Sequence, residues 1–408
     1  MNPGASSPPT SPEPAAARRF PGRLVVIAGT APEPDETFIR RDLEGLRRHG
    51  WQVQVFGLNA RFARPVPGRR RGPGRVRLAA ALLRRAWQLR RRPAQALALL
   101  RAHRLAGRLA DAAAEADLLL AEFAWLTADL AAVAAAATGA PWVCAVHAWD
   151  LFTQPPGLVR ARLADAARIV ACSTAAAEAV AACGIDAART ALVHHGVPLE
   201  AFPFRQSQPA AGAPLVAVGR LETKKGFDLL IAALARLRTL EPPELHLAGD
   251  GSQRAALEAL AARLGVQPRV RFHGRLAPDA VRRLMASASL LVLPSRRMPD
   301  GDRDGIANVL IEAMALGVPV VTTRAGAAEE IVGDRLTGRL VPPDDVPALA
   351  AALEELLGDA EQRGRLAQAA RATVETYFDS RLTGAALSSL LASHARVRPI
   401  SSWRQPAP

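Results

Sequence analysis

The sequence predicts an α/β protein of two Rossmann-like domains facing across a cleft, and three observations carry that expectation. Short apolar runs ending in glycine or a small polar residue alternate with helical patterns in both halves of the chain. The alternation pauses at the proline-containing stretch Phe202–Pro214 and then restarts. At 408 residues, half of them apolar, the chain is long enough for two to three ordinary domains with sizeable cores.

Taken in order, residues 1–22 are rich in Pro, Ser and Ala, and read as a disordered tail without the apolar region of a secretory signal. "RLVVIAG" (Arg23–Gly29) reads as a buried strand. Asp35 stands as an N-cap before "ETFIRRDLEGLRRHG", where Phe38, Leu43 and Leu46 recur helically and Gly50 supplies the stop. Trp51, Val53 and Val55 then alternate in a second strand, which completes a βαβ unit. "APWVCAVH" and "ARIVACS" continue the first domain, residues 23–205. The second, residues 213–375, carries strands in "PLVAVG", "ELHLAG", "LLVLPS", "VPVVTT" and "TGRLVP". Residues 376–395 read as a helix returning toward the first domain, and 396–408 as a tail. The longest charge-free run, Asp129 to Asp150, is broken by Gly139-Ala140-Pro141, so it reads as helix, turn and strand rather than a membrane span.

The net charge of +14 is concentrated. Residues 61–110 hold fifteen arginines and no acid, which leaves the remaining chain near neutral. Leu78, Leu82, Leu83, Trp87 and Leu89 recur among those arginines at roughly helical spacing. Such a basic amphipathic segment suits an anionic membrane surface, or merely covers the domain as solvated helices. Nucleic acid is not the expected partner, because no aromatic interleaving accompanies the charge. Cys144, Cys172 and Cys183 are odd in number and lack metal spacing, so reduced thiols in a cytoplasmic protein are expected.

Ligands of open α/β sheets bind beyond the C-terminal strand ends, so the residues just after strands carry the chemistry. After "PLVAVG" comes "GRLETKKGFD", Gly219–Asp228, holding the only two lysines among 52 basic residues. After "LLVLPS" comes "RRMPDGDRDGIANVLIEAMALG". Gly305 permits close backbone approach there, and a helix opening near Ile306, Ala307 and Asn308 aims free N–H groups at the cleft. A diphosphate is expected at that helix start. Arg220 would grip it as a fork and Lys225 as a point charge, while Lys224 reads as solvated. Glu312 on the same helix can accept from ribose hydroxyls. "DGDRDG" (Asp300–Gly305) resembles the opening of a calcium loop, but Ile311 occupies the twelfth position, and a helix begins inside it. No metal or other cofactor is therefore expected.

"GRLETKKGFDLLIAAL", "HGRLAPDAVRRLMASASLLVLPS" and "DGIANVLIEAMALGVPVVTT" resemble the C-terminal domain of glycosyltransferase family four, retaining enzymes of the GT-B fold. "DETFIRRDLEGLRRHG", "TGAPWVCAVHAWDLF" and "VHHGVPLEAF" resemble its bacterial exopolysaccharide, colanic-acid-like branch. The resemblance implies transfer of a sugar from a nucleotide-diphosphate sugar to a saccharide or lipid-linked saccharide acceptor, and the basic segment 61–110 leads us to expect a cytoplasmic protein held peripherally at the inner face of the cell membrane. It places Gly219, Arg220 and Lys225 on the donor diphosphate, Asp304 and His147 at the donor sugar, Glu312 at the ribose and Glu330 near the sugar-phosphate. Asp304 stands where the family usually has glutamate, and Glu122 where this branch commonly has histidine. A GT-B sugar-nucleotide epimerase and a catalytically silent membrane scaffold remain the alternative readings.

Overall fold

The computed structural model describes residues 22–29, 36–58, 74–205, 207, 209, 212–238 and 243–396. The tail residues 1–21 and 397–408, the N-cap expected at Asp35 and the first part of the arginine-rich segment, 59–73, lie outside the described residues.

Two six-stranded, all-parallel sheets form, one in each half. The first contains β1 (Arg23–Ala28), β2 (Gln52–Gly57), β3 (Leu118–Glu122), β4 (Trp142–Val146), β5 (Arg168–Ala171) and β6 (Thr190–Leu192), in the order β2-β1-β3-β4-β5-β6. Its helices are α1 (Thr37–Arg48), α2 (Arg75–Gln88), α3 (Pro93–Arg101), α4 (His103–Ala113), α5 (Leu126–Thr138), α6 (Ala148–Phe152), α7 (Pro156–Leu163) and α8 (Thr174–Ala182). The second sheet contains β7 (Leu215–Val218), β8 (Leu245–Ala248), β9 (Val270–Gly274), β10 (Leu290–Leu293), β11 (Val320–Thr323) and β12 (Arg339–Val341), ordered β12-β11-β10-β7-β8-β9. Around it lie α9 (Phe227–Leu234), α10 (Arg254–Arg263), α11 (Pro278–Ala286), α12 (Asn308–Leu316), α13 (Ala328–Ile331), α14 (Val346–Gly358) and α15 (Ala360–Tyr377), and the last helix is α16 (Ser380–His394).

Strand periodicity sorts the first sheet's side chains onto two cores. Val25, Ile27, Leu119, Ala121, Cys144 and Val146 face one cluster, shared with α4 and α5. Leu24, Val26, Leu118, Leu120, Val143 and Val170 face the other, which Leu387 and Leu391 of α16 complete. The last helix thus covers a face of the first sheet beside α1. Gly45 and Gly384 meet at that crossing, where a Cβ on either would lie 3.5 Å from the other's Cα. Trp51 Nε1 donates to Ser388 Oγ at 3.0 Å.

The arginine-rich segment is part of this fold. Ala81, Leu82, Leu89, Leu99 and Leu109 are buried under α5 and its neighbours. Among the described residues its one deep arginine is Arg85, which with Arg162 of α7 grips Asp129 of α5, all three at most 2% exposed. The opposite face of α2 and α3 leaves Val76, Leu83, Trp87 and Leu97 exposed beside Arg77, Arg84, Arg90 and Arg91. No helix among the described residues is long and apolar enough to cross a membrane.

Candidate active site

The order of the second sheet reverses between β7 and β10, so the loops leaving these two strands lie side by side at the C-terminal edge. The β7 loop closes in a short 3-10 turn, Thr223–Lys225, that ends on Gly226 at φ +66°. A Cβ at Gly226 would lie 1.9 Å from the Pro294 carbonyl oxygen, so only glycine lets the lysine turn sit against the end of β10. The Lys225 stem runs over Gly219, where a Cβ would be 3.5 Å from Lys225 Cε.

Lys225 Nζ donates to both carboxylate oxygens of Asp304 at 2.9 Å, and Ser295 Oγ donates to Oδ2 at 2.6 Å. Asp304 was expected on sugar hydroxyls and Lys225 on phosphate; here they meet each other. The physical reason is that two nearly buried opposite charges on adjacent loops neutralise one another. Burial alone would push the Asp304 carboxyl up, but the Lys225 ammonium and the Ser295 hydroxyl hold it below the usual range. Lys224 corrects one expectation. Its side chain is 11% exposed, and Nζ donates to Asp302 Oδ1 at 3.1 Å, so it is no solvated lysine.

Asn308 opens α12 as expected, with Ala307 at the N-cap. Its side-chain oxygen is buried and accepts no hydrogen bond. Ile306 packs into the core. Gly305 brings the loop against the first domain, where a Cβ would lie 3.3 Å from Ala148 Cβ. The Arg220 side chain, on the same loop, is 57% exposed and pairs with Glu222 at 3.0 Å.

Two further acids bridge the domains instead of facing the cleft freely. Glu312 accepts from Arg41 of α1 at 2.7 Å; burial pushes its carboxyl up, and Arg41 opposes that. Glu330 accepts from the backbone N–H groups of Thr174 and Ala175, at 2.6 and 3.0 Å, and so caps α8 from the other domain. The first-turn N–H groups of a helix need acceptors, and Glu330 supplies one where the chain offers only Ser173 Oγ, which accepts from Ala176 at 3.1 Å.

Across the cleft, the C-terminal ends of β3 to β6 assemble a buried cluster that the sequence pointed to at His147 and Glu122. His147 follows β4, Cys172 follows β5, His195 follows β6 and Glu122 ends β3. His147 Nε2 lies 3.1 Å from Glu122 Oε2, and His195 Nδ1 lies 3.0 Å from Asp42 Oδ2 on α1. The imidazoles stack at 5.5 Å between centroids, against Phe38. Burial pushes the Cys172 thiol up, but hydrogen bonds from His147 and His195 overcome it and bring it down to about 6. Burial opposes the charged form of His195 as well, yet Asp42 and Cys172 raise it to about 9. Behind the cluster, the fully buried Asp150 carboxylate accepts from the His147 N–H at 2.8 Å and from Ala124 N–H. Phe123, next to Glu122, holds φ +72°, a strained backbone for a non-glycine residue at a site edge. Glu122, His147, Cys172 and His195 each stand at or shortly after a strand, whereas Asp42 comes from the middle of α1.

Comparison with known proteins agrees with this architecture. The family described as Glycosyl transferases group 1 matches residues 202–373, and Glycosyltransferase Family 4 matches residues 36–201. Glycogen synthase of Mycobacterium tuberculosis strain H37Rv is 35% identical over 227 residues, 55% of this chain and 52% of that protein. The putative colanic acid biosynthesis glycosyltransferase WcaL of Escherichia coli K12 is 31% identical over 213 residues, 51% of this chain and 52% of its own. The chain spans about half the length of the curated relatives it matches. The crystal structure of Anabaena Alr3699/HepE in complex with UDP and glucose superposes with a TM-score of 0.70 at 21% identity, covering 91% of this chain and 100% of that one, a likeness of fold. With two family models meeting at residues 201 and 202, one on each sheet, and that fold across both, the chain belongs to glycosyltransferase family four and has the GT-B fold.

Proposed function

We propose that this chain is a retaining glycosyltransferase that moves a hexosyl unit from a nucleotide-diphosphate sugar to a saccharide or lipid-linked saccharide acceptor, in the assembly of cell-surface polysaccharide. The observation that carries this reading is the meeting of Lys225, Asp304 and the opening of α12 at the switch point of the second sheet, facing the first domain. A donor diphosphate at the start of α12 would share the Lys225 ammonium with Asp304 and take backbone N–H groups of the first turn. These groups stabilise the charge that grows on the leaving phosphate as the glycosyl–phosphate bond breaks. The acceptor hydroxyl attacks from the face the phosphate leaves, and the departing phosphate oxygen takes its proton, so the anomeric configuration is kept. Asn308 supplies an acceptor for a donor hydroxyl. Arg41–Glu312 and Glu330–α8 hold the domains closed, which excludes water from the reaction.

The test is incubation with a panel of UDP- and GDP-sugars and saccharide acceptors. Acceptor-dependent release of nucleoside diphosphate, with the product's anomeric configuration read by NMR, is the expected result. Release of nucleoside diphosphate with no acceptor-linked sugar would favour the epimerase reading, and an inverted product would end this one. Asp304→Asn is expected to lower turnover ten-fold or more, about 1.4 kcal/mol in the barrier, because an amide cannot hold the Lys225 ammonium in place. Asp304→Glu should retain more of it. Wild-type turnover in Asp304→Asn would mean that the carboxylate has no part in transfer.

Peripheral attachment to the inner face of the membrane belongs to the same proposal. The exposed Leu83 and Trp87 on α2, with Arg90 stacked over the Trp87 ring at 3.8 Å, form an apolar patch on a stretch, residues 61–110, that carries arginines and no acid. Co-sedimentation with vesicles containing phosphatidylserine should fall as salt rises and fall again in Arg84→Gln/Arg91→Gln, because surface charges are screened within about 10 Å at 0.1 M salt. Binding that ignores both changes would leave α2 and α3 as a solvated cover.

A further inference from the structure

We propose that Trp125 and Trp149 form an aromatic platform on which a pyranose ring of the acceptor stacks. It rests on the transfer reading, whose acceptor it places on the first domain's side of the cleft.

Exposure and support carry it. The two indoles meet edge to face, 4.9 Å between centroids at 70°, yet stay 45% and 38% exposed. Such a pair braces itself, the positive edge of one ring against the negative face of the other. The backbone holds both rings out. Trp125 stands before α5 and Trp149 lies in α6. Their chain neighbours are joined underneath: the Ala124 N–H donates to the carboxylate of the fully buried Asp150, which also accepts from the His147 N–H at 2.8 Å. Phe123, at φ +72°, is a strained residue kept two positions before an exposed aromatic ring. The place agrees. Ala148, next to Trp149, is the residue that Gly305 approaches at the opening of α12. Arg303 lies over the Phe152 ring at 3.4 Å, so both ends of α6 border the loop that carries Asp304. The chemistry selects a sugar. One face of a gluco- or galacto-configured pyranose presents several C–H bonds, apolar and weakly positive, which fit an aromatic face while the hydroxyls stay in water. An anionic membrane would ask for flanking cations, and no lysine or arginine occurs between Arg108 and Arg160.

Saturation-transfer NMR on the full chain tests it, with cellobiose, maltose and lactose as probes. At least one disaccharide should receive saturation, strongest at the C–H protons of one ring face. Its affinity should fall roughly ten-fold in Trp125→Ala and in Trp149→Ala. Trp149→Phe should keep most of it, and so should Trp87→Ala, whose exposed ring lies on α2. Nucleoside-diphosphate affinity should not move in these variants, which shows that each one folds. No saturation of any of the three disaccharides in wild type overturns the platform, and so does equal saturation in wild type, Trp125→Ala and Trp149→Ala. Binding of phosphatidylserine vesicles that needs the two rings, with the disaccharides ignored, would assign them to a membrane and overturn it as well. Failure of the transfer reading looks different. A disaccharide held on the two rings, with no nucleoside diphosphate released from any donor, would end that reading and support the platform. Transfer whose acceptor KM ignores Trp125→Ala and Trp149→Ala would do the reverse.

Discussion

Asp129→Ala is expected to destabilise the first domain by about 3–5 kcal/mol, the cost of stranding buried charge by removing one partner. Asp129 receives Arg85 Nε at 3.0 Å on one oxygen and Arg162 Nε at 3.1 Å on the other. The two guanidiniums also donate to the carbonyls of Ala161, Arg162 and Ala124, which ties α2, α5 and α7 and the end of β3 together. Without the carboxylate, two cations at 2% exposure face each other with neutral carbonyls and one longer ion pair, Arg85 to Asp165 at 3.7 Å, left to them. A domain usually has about 5–15 kcal/mol in total, so this change alone approaches its limit. Guanidinium unfolding followed by circular dichroism measures the effect, with the exposed Arg84→Ala expected within about 0.5 kcal/mol of wild type as control. If Asp129→Ala matched that control, the network would be ornamental and the Arg85 side chain free to leave it.

Lys225→Ala should weaken nucleoside-diphosphate binding by about 1.5–3 kcal/mol, through loss of a charge-assisted contact, and Lys224→Ala should not. Both variants lose some stability, because each lysine is paired and mostly buried, so diphosphate affinity is the measurement that separates them. The pairing also fixes a pH signature. The Asp304 carboxyl lies below its usual range in the folded chain, so its contribution is present above the unfolded value of about 3.9 and lost as pH falls through the folded value. In Lys225→Ala the carboxyl keeps its burial but loses its cation, and its pKa should rise. The stability gap between wild type and Lys225→Ala should therefore be full at neutral pH and narrow in acid. A gap that stays constant down to pH 3 would mean that Asp304 has another partner.

The doubly wound architecture was legible because buried parallel strands are continuous apolar runs, and glycine marks their ends. β3 escaped notice, since "LLLAE" follows the alanine- and leucine-rich helix α4 with only Asp117 to mark the change. β9 escaped for the opposite reason: an edge strand reading "VRFHG" alternates in exposure and lacks an apolar run. Residue types at the second sheet's switch point were legible, but their pairings were not. Lys225 with Asp304, Arg41 with Glu312 and Glu330 with α8 join positions 79, 271 and 156 residues apart, which only topology brings together. Arg85 was hidden by its neighbours, one buried cation inside a run of exposed ones. Cys172 and His195 were hidden in the same way, as single polar residues after separate strands.

The central claim is that the switch point of the second sheet holds a donor diphosphate on Lys225, and calorimetry on nucleotides of increasing phosphate number tests it most directly. Nucleoside, monophosphate and diphosphate of the uridine and guanosine series are titrated into wild type and Lys225→Ala. One series should bind, its diphosphate ten-fold or more tighter than its monophosphate, a step of about 1.4 kcal/mol, and that step should collapse in Lys225→Ala while the monophosphate affinity holds. Mono- and diphosphates that bind equally in wild type, or a diphosphate step that survives Lys225→Ala intact, would contradict the account.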